Sequence, residues 1–178
     1  KYVSYGVEPK LFKLGTRGFK RKRKKLEEDI EKFAHELIKI QAQRQSQNGF
    51  VYQKDTVWQE EFEAAFPFEE TEDQKKAIND VKRDMESPCI MDRIVCGDVG
   101  YGKTEVAMRA AFKAIDNSKQ VVMIAPTTVL AEQHYKRFKQ RYENYPITIE
   151  NLSRLTQSKA KDILKNIKNG TTDLVIGT

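Results

Sequence analysis

Eight consecutive residues, Gly97-Asp98-Val99-Gly100-Tyr101-Gly102-Lys103-Thr104, spell G-x-x-x-x-G-K-T. Glycines let the backbone close around an anion, and successive N–H groups of such a loop point inward at it. The lysine sets an ammonium between the β- and γ-phosphates of a nucleoside triphosphate, and the hydroxyl after it ligates Mg2+. Lys103 and Thr104 are therefore the candidate catalytic residues, with Thr104 as the metal ligand. Gly97, Asp98, Val99, Gly100, Tyr101 and Gly102 form the backbone cradle. The flanks suit the loop: Arg93-Ile94-Val95-Cys96 reads as a short apolar strand before it, and an alanine-rich helical stretch follows.

Other residues fall where a nucleotide-driven machine acting on nucleic acid needs them. Gln74, upstream in Phe68-Glu69-Glu70-Thr71-Glu72-Asp73-Gln74, carries an amide able to donate to and accept from one edge of adenine; taken alone it is equally an ordinary exposed residue at a helix start. Pro126, Thr127 and Thr128 sit where a strand ends and a helix begins. Hydroxyls and backbone N–H groups there suit a phosphodiester backbone as well as a capping role. Gly177 and Thr178 repeat that placement after another strand, and Ser153-Arg154 offers one more phosphate ligand.

These residues need a scaffold, and the apolar spacing supplies one. Strands are expected near 93–97, 121–125, 147–151 and 173–177, with helices near 102–116, 128–142 and 156–169. Short apolar runs such as Val121-Val122-Met123-Ile124 suit strands covered on both faces. Alternating strand and helix predicts a parallel sheet with right-handed crossovers, whose carboxyl edge carries the phosphate loop. Upstream, Pro67 breaks the chain, and Thr71 is a good N-cap for a helix to about Met85. A shorter helix around 55–65 places Trp58, Phe62 and Phe66 at spacing four, as hydrophobic anchors. Before it, Leu26, Ile30, Phe33, Leu37 and Ile40 alternate spacings of four and three, the mark of one long helix over 20–47 with a mixed-charge outer face. Such a helix serves as a mechanical connector.

The 178 residues carry a net charge of +6, which weakly favours an anionic partner; much of it lies in Lys20-Arg21-Lys22-Arg23-Lys24-Lys25. That run suits a solvated helix start, or a contact with nucleic acid or another domain. No run of about 18 apolar residues occurs, so no membrane span is expected. The first residue is Lys1 and no signal-peptide pattern follows, which reads as an internal piece of something longer. Cys89 and Cys96 make no disulfide framework: Cys96 is expected buried in its strand, Cys89 free in a loop, both reduced and cytosolic. His35 and His134 lie far from either cysteine, so no zinc-type ligand set is expected.

The run from Pro67 to Gln74, then Asp84-Met85-Glu86-Ser87-Pro88, then Met91 to Ala107, resembles the bacterial transcription-repair coupling factors, the Mfd family. So do Arg109-Ala110-Ala111-Phe112-Lys113-Ala114 and Pro126 to Tyr135. The resemblance covers nearly the whole chain. Pro9-Lys10-Leu11-Phe12-Lys13-Leu14-Gly15 is similar to the segment after that family's polymerase-interacting module, and the long helix to its linker. The branched-DNA helicase RecG shares the phosphate-loop block and lacks this upstream helix. Phe19 stands where the family usually has Trp, and Leu155 where Phe is usual.

The resemblance implies a superfamily 2 translocase on double-stranded DNA that displaces stalled RNA polymerase and recruits excision-repair proteins in the cytoplasm. It implies an adenine-reading Q motif at Gln74, a first helicase motif at Gly97 to Thr104, and DNA contacts at Pro126, Thr127, Thr128, Arg154, Gly177 and Thr178. The fold class expected is α/β: a P-loop (RecA-like) parallel sheet with flanking helices, incomplete at its C-terminus and preceded by a long linker helix. The expected divisions are 1–19, the tail of a polymerase-interacting module; 20–48, the linker helix; 49–92, a helical lead-in with the Q motif; and 93–178, the first part of motor lobe 1. These residues contain no Walker-B Asp-Glu pair, no arginine finger and no second lobe. The chain alone is therefore expected at most to bind ATP, without useful hydrolysis.

Overall fold

Four threonines begin four of the helices, and each does so the same way. In the computed structural model, which describes residues 14–178, the hydroxyls of Thr16, Thr56, Thr71 and Thr127 accept the amide of the residue three positions on. Each satisfies one of the orphan donors of a first helical turn. The helices so started are α1 (Arg17–Ser46), α2 (Val57–Ala64), α3 (Glu72–Met85) and, further along, α5 (Thr128–Arg141). Between the last two come α4 (Lys103–Asp116) and β1 (Val121–Ile124). After α5 follow β2 (Ile149–Leu152), a 3-10 turn (Arg154–Lys159), α6 (Ala160–Lys168) and β3 (Leu174–Gly177).

The chain divides into two units, residues 1–48 and residues 49–178. In the first, α1 spans 30 residues, about 45 Å at 1.5 Å per residue. None of its residues is buried, and its apolar stripe of Leu26, Ile30, Phe33 and Leu37 is exposed. Part of the basic run is neutralised along the helix, where Arg23 pairs with Glu27 at 2.8 Å and Lys24 approaches Glu28 at 4.0 Å. Most of the segment from Pro9 to Gly15 lies outside the described residues.

In the second unit the three strands form one parallel sheet in the order β1-β3-β2. Central β3 is buried along Leu174, Val175 and Ile176. Its last residue, Gly177, stands in register with Ile124 on one side and Leu152 on the other. A Cβ on Gly177 would lie 2.3 Å from the Leu152 carbonyl oxygen, so only glycine fits there. Against this sheet pack Met108, Ala111 and Phe112 of α4 and Ala131 and Phe138 of α5, with Phe62 of α2 between them. The Phe62 ring stacks on Phe112 with centroids 4.4 Å apart. On another flank of α4, Ile78, Val81 and Met85 of α3 close over Val106 and Ala114.

Several expectations fail. Strand β1 is covered on one face only, with Val122 and Ile124 exposed on the other. Arg93–Gly97 is not a strand: no segment among the described residues pairs with it, and without a neighbouring ladder an apolar run has nothing to make its extended backbone a sheet. Ile94 is accordingly 86% exposed, and Cys96 is an exposed thiol instead of a buried one. Of the three spaced aromatics Phe62 is fully buried, but Trp58 in the first turn of short α2 is 52% exposed. The helix expected from 156 begins as a 3-10 turn because Thr156, with a non-helical backbone, donates its hydroxyl to the Asn151 carbonyl at 2.7 Å.

Candidate nucleotide-binding site

Helix α4 departs from the threonine rule. Its N-cap is Gly102, left-handed at φ +73°, with no side-chain cap. The first N–H groups of α4 thus lack the side-chain acceptor that α1, α2, α3 and α5 have. Uncapped donors at the positive end of a helix are what an anion requires. Gly100 is also left-handed, at φ +89°, and the loop from Gly97 to Tyr101 is exposed. The Lys103 ammonium donates to the carbonyls of Gly97 and Asp98, at 2.6 Å each. It spans the loop from the helix side, placed to exchange a carbonyl for a phosphate oxygen. Thr104 follows in the first turn. The residues present fit a Mg-bound nucleoside triphosphate: Gly97 to Gly102 and Lys103 would hold the phosphates and Thr104 the metal.

Gln74 reaches this loop from α3. Its side-chain oxygen accepts the Thr71 amide at 2.9 Å, and the Thr71 hydroxyl accepts the Gln74 amide at 3.2 Å, a reciprocal capping box. The other end of the side chain, Nε2, donates to the Tyr101 carbonyl at 2.9 Å. The amide expected to read adenine therefore touches the phosphate loop directly.

A chain of buried charges braces the same elements, and sequence reading missed it. Arg109 of α4, its side chain 5% exposed, meets Glu105 at 3.0 Å, Glu70 at 2.7 Å and Glu63 at 3.6 Å. Lys82 of α3 holds Glu63 and Asp55 at 2.6 Å each. Lys113 of α4, its side chain 2% exposed, takes Asp55 at 2.7 Å and Glu86 at 2.8 Å. Arg141 of α5 lies over the Phe62 ring at 4.0 Å and donates to the Phe62 carbonyl at 2.6 Å. Burial works against the charge of Arg109, yet hydrogen bonds to Glu70 and Glu105 outweigh it and raise its pKa. At Asp55 burial is likewise outweighed, by Lys113 and Lys82, and the carboxyl stays below its ordinary value.

The nucleic-acid candidates gather at the carboxyl edge of the sheet. Because β1, β3 and β2 are parallel with Ile124, Gly177 and Leu152 in one row, the residues after them share one rim. Pro126 and Thr127 follow β1, Thr178 follows β3, and Arg154 follows β2; all four are exposed, while Thr128 and Gly177 are half-buried. Thr127 accepts the Leu130 amide at 3.2 Å, which leaves its hydroxyl hydrogen free to donate outward. Ser153 is buried, so Arg154 carries what that pair can offer to a phosphate.

The model of the DEAD/DEAH box helicases matches residues 71–178, from the N-cap of α3 to the last residue. The chain belongs to the DEAD/DEAH box helicase family. It is 53% identical over 180 residues to a transcription-repair-coupling factor of Bacillus subtilis, covering 100% of this chain and 15% of that protein. It is 49% identical over 169 residues to the one of Escherichia coli, covering 94% and 15%. The helicase-family chain thus spans about 15% of the curated relatives it matches. Among solved structures, RecG bound to a three-way DNA junction aligns with a TM-score of 0.71 and 34% identity, over 79% of this chain and 19% of that one. The fold is the RecA-like α/β arrangement of helicase motors, with parallel strands and flanking helices.

Within this helicase chain, the signal for the missed clamp was faint but present. Glu105 and Arg109 stand one helical turn apart beside the phosphate-loop lysine, a spacing that pairs side chains on one face. Nothing local pointed to Glu63 and Glu70, which reach Arg109 across tens of residues.

Proposed function

We propose that this chain is the ATP-binding part of a superfamily 2 motor of the transcription-repair coupling type, which moves on double-stranded DNA at the expense of ATP and displaces stalled RNA polymerase. The observation that carries the reading is the pairing of an uncapped, glycine-begun α4 behind Gly97 to Gly102 with a rim of exposed hydroxyls and Arg154 at the strand ends. Lys103 and Thr104 act on the phosphates and Mg2+, and Gln74 meets the base. Pro126, Thr127, Thr128, Arg154, Gly177 and Thr178 face the DNA backbone. Bound Mg·ATP supplies the phosphoryl group whose transfer drives movement; the chain's own residues bind and orient it. RNA polymerase and excision-repair proteins are partners of the whole protein, in the cytoplasm.

A second reading, a helicase acting on branched DNA, draws on the likeness to the junction-bound RecG structure. The long α1, with its linker-like mixed-charge face, favours the coupling type.

Calorimetric titration of Mg·ATP into the chain, with Lys103→Ala beside it, tests the nucleotide half. Binding that Lys103→Ala abolishes at unchanged helicity supports it, and binding that survives the substitution refutes it. Translocation on linear duplex, against unwinding of a three-way junction by the full-length protein, separates the two readings.

A further inference from the structure

The carboxylates around Arg109 come from three places with different duties. Glu105 lies in the first turn of α4, two positions after Lys103, and Glu63 belongs to α2. Glu70 immediately precedes Thr71, the residue whose amide and hydroxyl fix both ends of the Gln74 capping box. Gln74 then closes on Tyr101 in the phosphate loop. These contacts form a ring: phosphate loop, α4, Arg109, Glu70, Thr71, Gln74 and back to the loop. Helix packing of α3 on α4 sets that spacing only coarsely, because apolar contacts are non-directional. The Arg109–Glu70 bond of 2.7 Å is directional, and the guanidinium is buried, with Phe66 5.3 Å from it.

We propose that Arg109 is a positioning residue for base selection. It holds the Glu70–Gln74 segment at the distance from the phosphate loop at which the Gln74 amide meets adenine, so selectivity for ATP over GTP depends on the Arg109–Glu70 bond. The proposal rests on the nucleotide-binding reading above and adds the residue that sets its specificity. Glu70, held below its ordinary pKa chiefly by its hydrogen bond to Arg109, remains a carboxylate throughout the neutral range and keeps the strut closed. A lysine at this place cannot serve as well, since a single ammonium lacks the fork that meets Glu70 and Glu105 from Nη2 and Nε at once.

The experiment measures affinities for Mg·ATP and Mg·GTP in the full-length protein and in its Glu70→Gln, Arg109→Gln, Arg109→Lys and Lys103→Ala variants, with a thermal melt of each. The expected result is a wild-type preference for ATP that falls about tenfold in Glu70→Gln and Arg109→Gln, with GTP affinity held within about twofold and Arg109→Lys in between. Lys103→Ala should lose both nucleotides. If Arg109→Gln does not fold, Glu70→Gln decides, since it leaves Arg109 held by Glu63 and Glu105. Equal loss of ATP and GTP, or an unchanged preference in Glu70→Gln, reduces the ring to a structural clamp and overturns the inference. A wild type that binds ATP and GTP equally overturns it while leaving nucleotide binding intact. Nucleotide binding that is absent or indifferent to Lys103 overturns the function proposed above and this inference with it.

Discussion

The side-chain nitrogen of Gln74 donates to the carbonyl of Tyr101 at 2.9 Å, and it does so beside Gly102, where an added Cβ would lie 2.5 Å from that same nitrogen. The left-handed backbone of Gly102 and the reach of Gln74 are therefore one feature: the absent side chain leaves the space that lets α3 touch the loop. Gly102→Ala would have to force φ +73° on an alanine and push Gln74 away. Strain of about 1–3 kcal/mol is expected at the loop, together with loss of the Gln74 bond. ATP affinity should fall at least tenfold with a melting temperature only a few degrees lower, read by calorimetry and thermal melt of one preparation. An affinity equal to that of the wild type would mean that the loop does not need this backbone to hold phosphate.

What could be read from residues alone was whatever is local. Thr71 declared its helix because an N-cap acts on the amide three positions away. The strands over Val121–Ile124 and Leu174–Gly177 are short apolar runs bounded by polar turns. Arg93–Gly97 looked the same and yet is no strand, because strand character there depends on a partner in space that periodicity does not report. The G-x-x-x-x-G-K-T signature located the loop, since its chemistry needs contiguous residues. Arg109 could not be recognised as a hub, because Glu63 and Glu70 come to it only when α2 and the lead-in to α3 fold onto α4. Likewise the shared rim of Thr127, Arg154 and Thr178 follows from the register of Ile124, Gly177 and Leu152, which no single strand contains.

That register makes Gly177 the least replaceable residue of the sheet. Alanine there would place its Cβ 2.3 Å from the Leu152 carbonyl oxygen, a backbone atom that cannot swing aside. Either β2 separates from β3 or the end of β3 bends, at a cost of about 2–4 kcal/mol. The melting temperature of Gly177→Ala should drop by several degrees, while Gly170→Ala, whose Cβ meets nothing within 4 Å, is affected only through its positive φ. Equal losses in the two variants would contradict the close approach.

Lys113 is a buried charge whose removal differs from its neutral replacement in an instructive way. Lys113→Met keeps most of the aliphatic stem against α3 and leaves Asp55 with Lys82 as its remaining partner. Both substitutions leave Glu86 without its ammonium, and Lys113→Ala opens a cavity as well. Asp55 and Glu86 retain some solvent exposure, which discounts the penalty for a fully buried unpaired carboxylate. Losses of about 1–2 kcal/mol for Met and about 3 kcal/mol for Ala are expected by urea denaturation. A double variant, Lys113→Met with Glu86→Gln, should recover part of the loss, because the carboxylate left without its ammonium is gone. If the pair of substitutions simply adds, the ion pair is not coupled as the geometry requires.

The same carboxylates fix how stability responds to acid. Asp55 titrates below the ordinary aspartate value: burial pushes it up, and the hydrogen bonds from Lys113 and Lys82 more than reverse that. Glu70 lies below the ordinary glutamate value, chiefly through Arg109, and Asp84 below the ordinary aspartate value, chiefly through Arg93. For each, the folded pKa is depressed, so the unfolded chain binds protons more readily as the pH falls. The stabilisation these groups contribute is complete above their unfolded values and is lost as pH drops through the folded ones. The melting temperature should therefore ease downward below about pH 6.5, where His134, kept neutral in the fold chiefly by burial, takes a proton more readily in the unfolded chain, and fall more steeply below about pH 4.5. Asp55→Asn lacks one of the titrating carboxylates, so it should start lower at neutral pH and decline less steeply in acid. Parallel curves for wild type and Asp55→Asn from pH 6 to pH 3 would show that the Asp55 ion pairs contribute nothing to the acid response. In that case α2, α3 and α4 are held by apolar packing and by the pairs that Glu63 and Glu70 make with Lys82 and Arg109.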